Sequence, residues 1–267
     1  NFASVVLLPA LSKTSAQMKM IAGGNDTTAA VAARKFGALE ATSDYHAVLA
    51  DPDINTVFIA TPHNLHAQMV VEALQAGKHV FVEKPLALTR EELASVRDAQ
   101  AQAAGQNLML GFNRRFSPLA VKLRELVSAR SQPLTLVYTV NAGAIPAGHW
   151  TQNSLIGGGR IIGEGCHFID FLRYVVAAPI INVEARMMGD APGVEVRQDK
   201  MSILLEFGDG SLGTVHYFAN GAKRFPKERV EVFSEGRILA LDNFKVLRGY
   251  DWPGFRKQSL MRQDKGH

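Results

Sequence analysis

Cysteine, long apolar runs and clustered charge are all scarce in this sequence. Its single cysteine, Cys166, excludes an internal disulfide framework and a cysteine-rich zinc site. No run of about 18 apolar residues occurs, so we expect no membrane span. The net charge of +4 comes from scattered lysines and arginines, which argues against nucleic-acid binding. No basic segment precedes an apolar stretch at the start, so we expect no signal peptide and a cytoplasmic location.

What the sequence does contain is enough apolar content, 47% of 267 residues, for two modest cores. Over residues 1–115, helical and strand patterns alternate, which predicts βαβ units and a parallel sheet. The predicted helices lie near 3–14, 27–36 and 65–76, with a fourth opened by a capping box at Thr89–Glu92. The predicted strands lie near 19–22, 56–60, 79–82 and 108–110. These residues form the first predicted domain, of α/β class.

Residues 116–267 follow a different pattern, dominated by strands. A helix is predicted to begin at Ser117–Pro118 and another lies near 164–177. The predicted strands lie near 134–142, 180–188, 200–207, 212–219, 228–234 and 237–241. Gly208-Asp209-Gly210 between two of them is typical of a hairpin turn. We therefore expect a second domain of α+β class with a largely antiparallel open sheet, one face of which is covered by helices.

Polar side chains follow the predicted parallel strands at the points where ligands of α/β sheets bind, beyond the carboxyl ends. Thr61-Pro62 follows one strand, Glu83-Lys84-Pro85 the next, and Gly111-Phe112-Asn113 the last. Three motifs in this order, Thr61-Pro62-x-x-x-His66, Glu83-Lys84-Pro85, and Gly157-Gly158-Gly159 leading to Gly165-x-His167-x-x-Asp170, resemble the Gfo/Idh/MocA oxidoreductases. That family takes its name from glucose-fructose oxidoreductase and inositol dehydrogenase.

The resemblance covers essentially the whole chain and implies a fold and an activity. The implied fold is a Rossmann domain for residues 1–115, followed by a substrate-binding and oligomerisation domain for residues 116–267. The implied activity is hydride transfer between NAD or NADP and a hydroxyl or keto carbon of a sugar, cyclitol or sugar-nucleotide-like substrate. The implied partners are this small polyhydroxylated molecule and further copies of the chain, bound through the second sheet.

The start of the chain also fits the resemblance. Family members open with a strand and a Gly-x-Gly turn, and Asn1-Phe2-Ala3 resembles the end of that fingerprint. We therefore expect the sequence to be a fragment that lacks the first Rossmann strand. The helix starting near Ala3 would offer its N-terminus to the pyrophosphate.

The resemblance implies a set of cofactor-binding residues. They are Asn1, Phe2, Ala3, Gly23, Thr61, Pro62, His63, Asn64, His66, Glu83, Lys84 and Trp150. NAD-specific enzymes of this fold place an acidic residue at the end of the second strand, on the ribose 2′-hydroxyl. Our alignment puts Gly23 at that position, and no arginine stands beside it for a 2′-phosphate, so NAD and NADP both remain open. Asp26 fits a turn or N-cap residue better.

Lys84, His167 and Glu164 are the predicted catalytic residues. In the family the matching lysine lies by the nicotinamide and hydrogen-bonds the reacting hydroxyl; the alternative is a strand-end lysine paired with Glu83. An imidazole titrates near the working pH, so His167 is the predicted acid/base; the alternative is a packed helix histidine. Many relatives carry an aspartate where this chain has Gly163. Glu164 is therefore predicted either to orient His167 or to be a first-turn glutamate favoured by the helix dipole.

The predicted substrate-binding residues are Arg115, Arg160, His167 and Asp170. Arginines at a predicted cleft would clamp a carboxylate or phosphate on the substrate, although two adjacent arginines, Arg114 and Arg115, are also typical of a solvated loop. Asp170 would contact substrate, hold the His167 ring or cap the helix. His63 and His66 have no third ligand in register, so we expect no metal. Two other functions stay open: a glycosidase or lyase using transient oxidation, and a non-catalytic dinucleotide-binding regulator.

Overall fold

The computed structural model describes residues 2–267 and divides the chain into two compact units. The first unit extends to Gly111 and includes His267, and the second comprises Phe112–Gly266. The helices α1 to α5 of the first unit are Leu8–Leu11, Asp26–Phe36, Tyr45–Ala50, His66–Gln75 and Arg90–Gln102. Its strands β1 to β5 are Met20–Ala22, Glu40–Thr42, Thr56–Ile59, His79–Val82 and Leu108–Leu110.

All strand pairs of the first unit are parallel, which confirms the predicted α/β arrangement. Strand β1 pairs with β2, while β3, β4 and β5 form a three-stranded sheet with β4 in the middle. The core of this unit lies between β4, which contributes Val80 and Val82, and helices α4 and α5. The carboxyl ends of β3, β4 and β5 therefore lie along one edge of a well-packed sheet.

The helix ends of the first unit follow their sequence signals. Asn25, and not Asp26 as predicted, caps α2: its side chain accepts a hydrogen bond from the Thr28 amide at 2.9 Å, and Asp26 is the first residue of the helix. Gly37 ends the helix with φ 75°. The capping box between Thr89 and Glu92 opens α5 as predicted. The predicted helix over 3–14 is shorter, since a π-helical turn at Ala3–Leu7 leads into α1 and Leu11 ends it.

The second unit consists of two helices and eight strands. Its helices α6 and α7 are Pro118–Ser128 and Cys166–Val176. Its strands β6 to β13 are Thr135–Asn141, Ile180–Met187, Lys200–Phe207, Leu212–Phe218, Glu228–Ser234, Arg237–Asp242, Val246–Tyr250 and Lys257–Ser259. The last two strands, β12 and β13, were not predicted.

The eight strands form one sheet in the order β13-β12-β11-β10-β6-β9-β8-β7. Every neighbouring pair is antiparallel except β6 and β9, which confirms the largely antiparallel sheet. Helices α6 and α7 supply Leu119, Leu123, Phe168, Phe171 and other buried side chains to the core against this sheet. None of the helices described over residues 2–267 has the length and apolar content to cross a bilayer.

Candidate active site

The carboxyl edge of the three-stranded sheet carries most of the cofactor residues predicted from the sequence. Thr61 and Pro62 follow β3 after one intervening residue, Glu83 and Lys84 follow β4, and Gly111 follows β5. Thr61, Glu83 and Lys84 are half-buried, while Pro62 is exposed. This places the predicted residues on neighbouring strand ends, which is the position at which parallel sheets bind ligands.

The loop after β4 begins with Glu83, whose carboxylate lies beside Gly111 at the end of β5. The Lys84–Pro85 peptide bond is cis. Burial raises the pKa of the Glu83 carboxyl, and the charge of Lys84 opposes this rise. A Cβ atom on Gly111 would lie 2.8 Å from a Glu83 carboxylate oxygen, so a larger residue at position 111 would require the end of the Glu83 side chain to move. Glu83 is thus held against the end of the neighbouring strand β5.

His66 lies beneath this edge rather than on its surface. It is the first residue of α4 and has no exposed surface. Its Nδ1 atom is 2.7 Å from the Pro85 carbonyl oxygen, and its Nε2 atom is 3.0 Å from the Thr61 carbonyl oxygen. Burial lowers the pKa of the His66 imidazole, while the hydrogen bonds to these two carbonyls oppose the change. The ring therefore links the loops that follow β3 and β4.

The other predicted cofactor residues of the first unit are distributed around the same fold elements. His63 opens the 3-10 turn His63–Leu65, is 9% exposed and lies with its ring centre 5.7 Å from that of His66, while Asn64 is exposed. Phe2 and Ala3 lie at the start of the π-helical turn, and Asn1 lies outside the described residues.

Gly23 comes directly after β1, at the position aligned with the ribose-binding acidic residue. A Cβ atom there would lie 3.2 Å from the Ala29 Cβ and 3.3 Å from its backbone, which is tighter than ordinary packing. Gly23 therefore lets the first turns of α2 approach the strand end closely. The adjacent Gly24 has open space around its would-be Cβ. A side chain at position 23 would therefore require Ala29 to move by a few tenths of an ångström, whereas one at position 24 would not.

In the second unit, His167 is the second residue of α7, at the helix start predicted for it. It is 8% exposed, and its ring centre lies 6.0 Å from that of Phe112. The residues before it, Ile161–Gly165, form a π-helical turn and not the α-helical turn assumed in the sequence analysis. Such turns are rare and often occur at functional sites.

Glu164 lies within this π-helical turn and forms ion pairs with two basic residues. Its Oε1 atom accepts hydrogen bonds from Arg160 Nε at 3.1 Å and Nη2 at 3.0 Å, and its Oε2 atom lies 3.6 Å from Lys227 Nζ. Arg160 is 4% exposed and also donates to the Ala142 and Gly143 carbonyls. To bind substrate, Arg160 would have to give up hydrogen bonds to these protein acceptors. The two predicted roles of Glu164 stay predictions.

Arg115 and Asp170, both predicted to bind substrate, pair with each other. Arg115 donates from Nη2 to Asp170 Oδ1 and from Nε to Oδ2, the latter at 3.1 Å. Burial raises the pKa of the Asp170 carboxyl, and the Arg115 guanidinium opposes this rise. The Arg115 side chain is 32% exposed and its guanidinium lies 5.5 Å from the Tyr174 ring centre. The pair is a fixed polar group one helical turn beyond His167.

The structure also contains a buried charge cluster that the sequence did not indicate. The Glu228 carboxylate, 1% exposed, accepts hydrogen bonds from Arg114 Nε at 2.7 Å and Nη2 at 2.9 Å, Tyr138 Oη at 2.5 Å and Lys265 Nζ at 2.6 Å. The Arg114 guanidinium packs 5.0 Å from the ring centre of Phe168, the residue after His167. Arg114, grouped with Arg115 as typical of a solvated loop, is therefore a buried structural residue.

The predicted Trp150 begins a 3-10 turn, Trp150–Gln152, and its side chain is 43% exposed. The triple glycine packs against this turn, since a Cβ on Gly157 would lie 2.7 Å from the Trp150 carbonyl oxygen. Gly158 and Gly159 both have positive φ, 72° and 80°. Among residues 2–267 no cluster of three histidine, cysteine, aspartate or glutamate side chains is arranged to hold a metal ion.

Both units match models of one protein family. Residues 1–112 match the oxidoreductase family with an NAD-binding Rossmann fold, and residues 131–239 match the Gfo/Idh/MocA C-terminal domain. Levoglucosan dehydrogenase of Pseudarthrobacter phenanthrenivorans is 31% identical over 252 residues, which cover 83% of this chain and 64% of that protein. Myo-inositol 2-dehydrogenase of Thermotoga maritima is 30% identical over 217 residues, covering 79% and 63% respectively. The chain thus spans a little under two thirds of these relatives.

A solved structure of levoglucosan dehydrogenase in complex with NADH and levoglucosan is similar to this chain with a TM-score of 0.76. The identity is 31%, and the match covers 91% of this chain and 71% of the other. A crystal structure of an oxidoreductase domain protein from Kribbella flavida gives a TM-score of 0.81 at 25% identity, covering 97% and 78%. Together with the two family models, these matches show that the chain belongs to the Gfo/Idh/MocA family of oxidoreductases.

Proposed function

We propose that the protein is an NAD- or NADP-dependent oxidoreductase acting on a hydroxyl or keto carbon of a small polyhydroxylated substrate. The observation that carries this proposal is the placement of Lys84. It follows the middle strand of the parallel sheet, within the residues that match the NAD-binding family model. A half-buried ammonium at this edge is suited to stabilise negative charge that develops on a substrate oxygen.

The first unit fits a dinucleotide at the carboxyl edge of its strands. We propose that the loops at Thr61–Asn64 and Glu83–Pro85 hold it, with Gly23 at the adenosine ribose and Phe2 and Ala3 at the pyrophosphate. Glycine at position 23, where a Cβ would press on Ala29, allows α2 to reach the strand end closely. The cofactor, when bound, supplies a carbon that accepts or returns a hydride. Because Gly23 lacks a carboxylate, NAD and NADP both fit.

Lys84 and His167 have separate roles in the proposed oxidation of an alcohol. The Lys84 ammonium donates a hydrogen bond to the reacting oxygen and stabilises the charge on it. The His167 imidazole accepts the hydroxyl proton, while the carbon-bound hydrogen leaves as hydride. The Arg115–Asp170 pair, fixed one turn beyond His167, binds further substrate hydroxyls. In the reverse reduction His167 returns the proton.

The substrate class that we propose is a sugar or a cyclitol. Relatives at 29–33% identity are named as dehydrogenases of levoglucosan, myo-inositol, scyllo-inositol and D-xylose. A neutral polyol also suits the charges of the second unit, because Arg115 is already paired with Asp170 and Arg160 with Glu164. A panel of sugars and cyclitols, assayed by absorbance of the reduced nicotinamide, tests this class. Net cofactor turnover separates a dehydrogenase from a lyase with transient oxidation.

Lys84→Ala tests the role of the lysine. We expect kcat to fall by about 10²-fold or more, the scale for loss of one positioned donor, while dinucleotide affinity changes little. Lys35→Ala is the control, because Lys35 is exposed and lies in the last turn of α2 and not in a loop after a strand. Turnover by Lys84→Ala at the wild-type rate would remove the lysine from the mechanism.

We also propose that the open face of the second sheet binds another copy of the chain. The side chains of Leu212, Phe218, Phe233 and Tyr250, which are 38–51% exposed, lie on strands of this sheet. The alternating pattern of β9 buries Gly213, Val215 and Tyr217 on the helix side and leaves Leu212 and Phe218 on the other side. Light scattering after gel filtration should give a mass above that of one chain; a monomer at micromolar concentration would contradict the proposal.

A further inference from the structure

His66 has an unusual position for a residue grouped with the cofactor contacts. The side chain has no exposed surface, and each of its ring nitrogens faces a backbone carbonyl. Nδ1 is 2.7 Å from the Pro85 oxygen and Nε2 is 3.0 Å from the Thr61 oxygen. The two carbonyls belong to the loops after β3 and β4, which are neighbouring parallel strands. A ring nitrogen committed to a carbonyl is not available to a dinucleotide.

The protonation state decides which of these contacts is a hydrogen bond. A neutral imidazole has one N–H group, so it can donate to only one carbonyl, whereas the cation donates to both. Burial lowers the pKa of His66 and the Lys84 charge acts in the same direction, against the two carbonyls. The other groups facing the ring are the Glu83 backbone and the His63 ring. At neutral pH His66 therefore carries one proton, and we assign this proton to Nδ1, the nitrogen with the shorter contact.

An Nδ1–H donor holds the loop immediately after Lys84. The Pro85 carbonyl is one residue beyond the lysine, and the loop makes no strand pairing there. An ammonium that binds a reacting oxygen must keep its position closely, since a misplacement of about 1 Å can cost 10²-fold in rate. We propose that His66 is the positioning residue for Lys84 and acts through the bond from its Nδ1–H to the Pro85 carbonyl, without contact to cofactor or substrate. This inference rests on the proposed function of Lys84.

Two conservative variants separate the ring nitrogens. An asparagine amide nitrogen falls near the position of a histidine Nδ1, and a glutamine amide nitrogen falls near that of Nε2. His66→Asn should therefore keep the bond to Pro85, His66→Gln should keep only the contact to Thr61, and His66→Leu should lose both. His79 supplies a matched control at the opposite end of β4, where its Nδ1 accepts the Asn107 N–H at 3.0 Å. His79→Leu removes a comparable link between neighbouring strands.

The kinetic test compares these variants on the best substrate of the sugar panel. We expect His66→Leu and His66→Gln to lower kcat by about 10-fold to 10²-fold with little change in KM, and His66→Asn to recover most of the loss. His79→Leu should lower thermal stability but keep kcat. The proposal would be overturned if His66→Gln, and not His66→Asn, recovered the wild-type kcat. It would also be overturned if His66→Leu kept the wild-type kcat.

An NMR test needs neither substrate nor turnover. Nitrogen-15 spectra of the wild-type imidazole at pH 7 should show His66 protonated at Nδ1 and not at Nε2. The Lys84 Cε resonance should shift in His66→Leu and stay near the wild-type position in His66→Asn. An Nε2-protonated ring, or a Lys84 resonance that is equal in all variants, refutes the positioning role. If NMR supports it while Lys84→Ala keeps full activity, only the proposed role of Lys84 has failed.

Discussion

Glu228→Gln is the sharpest test of how the second unit is held together. Glutamine keeps the shape of the side chain but removes the charge that compensates Arg114 and Lys265. The Arg114 side chain is 8% exposed and that of Lys265 is 17% exposed, so water cannot replace the lost carboxylate. Glu228 also accepts the hydrogen bond of the fully buried Tyr138. The substitution therefore leaves a buried cation without its partner.

The expected loss follows from the burial of the pair. Removing one partner of a buried ion pair costs about 3–5 kcal/mol of unfolding free energy, because the remaining charge is uncompensated. For a unit of this size the melting temperature should fall by about 6–20 °C, at 2–4 °C for each kcal/mol. The matched control is Glu231→Gln on the same strand, since Glu231 is partly exposed and pairs with Arg229 at 2.9 Å. This control should cost less than about 1 kcal/mol.

Urea unfolding at pH 7, followed by circular dichroism, measures both variants against the wild type. Burial alone would raise the pKa of Glu228, but Arg114 and Lys265 outweigh it and hold this pKa far below the ordinary value of 4.5. The carboxylate thus stabilises the fold above pH 4.5, and its contribution declines as the pH falls below that value. The difference in unfolding free energy between the wild type and Glu228→Gln should therefore become smaller as the pH falls below 4.5. A loss below 1 kcal/mol at pH 7 would refute the reasoning.

Two further predictions concern the sites on each unit. Glu164→Gln should lower the free energy of unfolding by about 1–3 kcal/mol, as measured by urea unfolding, because Arg160 loses a charged acceptor. We expect the acidic limb of the pH–rate profile to stay in place, since Arg160 already neutralises this carboxylate; a downward shift would show that Glu164 orients His167. Position 24 has open space for a side chain, so Gly24→Asp should be accommodated. The new carboxylate should repel a 2′-phosphate and raise the ratio of NAD affinity to NADP affinity, as measured by calorimetry. Gly23→Asp should instead destabilise the fold, and an unchanged ratio in Gly24→Asp would contradict the assigned ribose site.

The strand-end loops of the first unit could be predicted from the sequence because each follows a short apolar or β-branched run. The structure confirms strands β3, β4 and β5, and it also confirms the glycine that ends α2 and the capping box that opens α5. Strand β2 and helix α3 were missed. The strand, Glu40-Ala41-Thr42, has no large apolar side chain, and the six-residue helix is shorter than the window in which helical periodicity becomes visible.

The missed features of the second unit depend on contacts between distant parts of the sequence. Arg114 and Glu228 are 114 positions apart, and nothing local marks either as buried. The π-helical turn before His167 contains Gly163 and Gly165, which fit many local structures. It changes the spacing on which the predicted pairing of Glu164 with His167 relied, because that prediction placed the two side chains on one face of a regular α-helix.

The place of β6 in the eight-stranded sheet has a consequence for synthesis on the ribosome. This strand pairs with β9 and β10, and β9 begins about 70 residues after β6 ends. At 5–20 residues per second, both edges of β6 stay without their native partners for about 4–14 s. During that time the alternating apolar side chains Leu136, Tyr138 and Val140 have no sheet to join. The nascent chain is therefore most exposed to aggregation, and most in need of a chaperone, before residue 212 has left the ribosome.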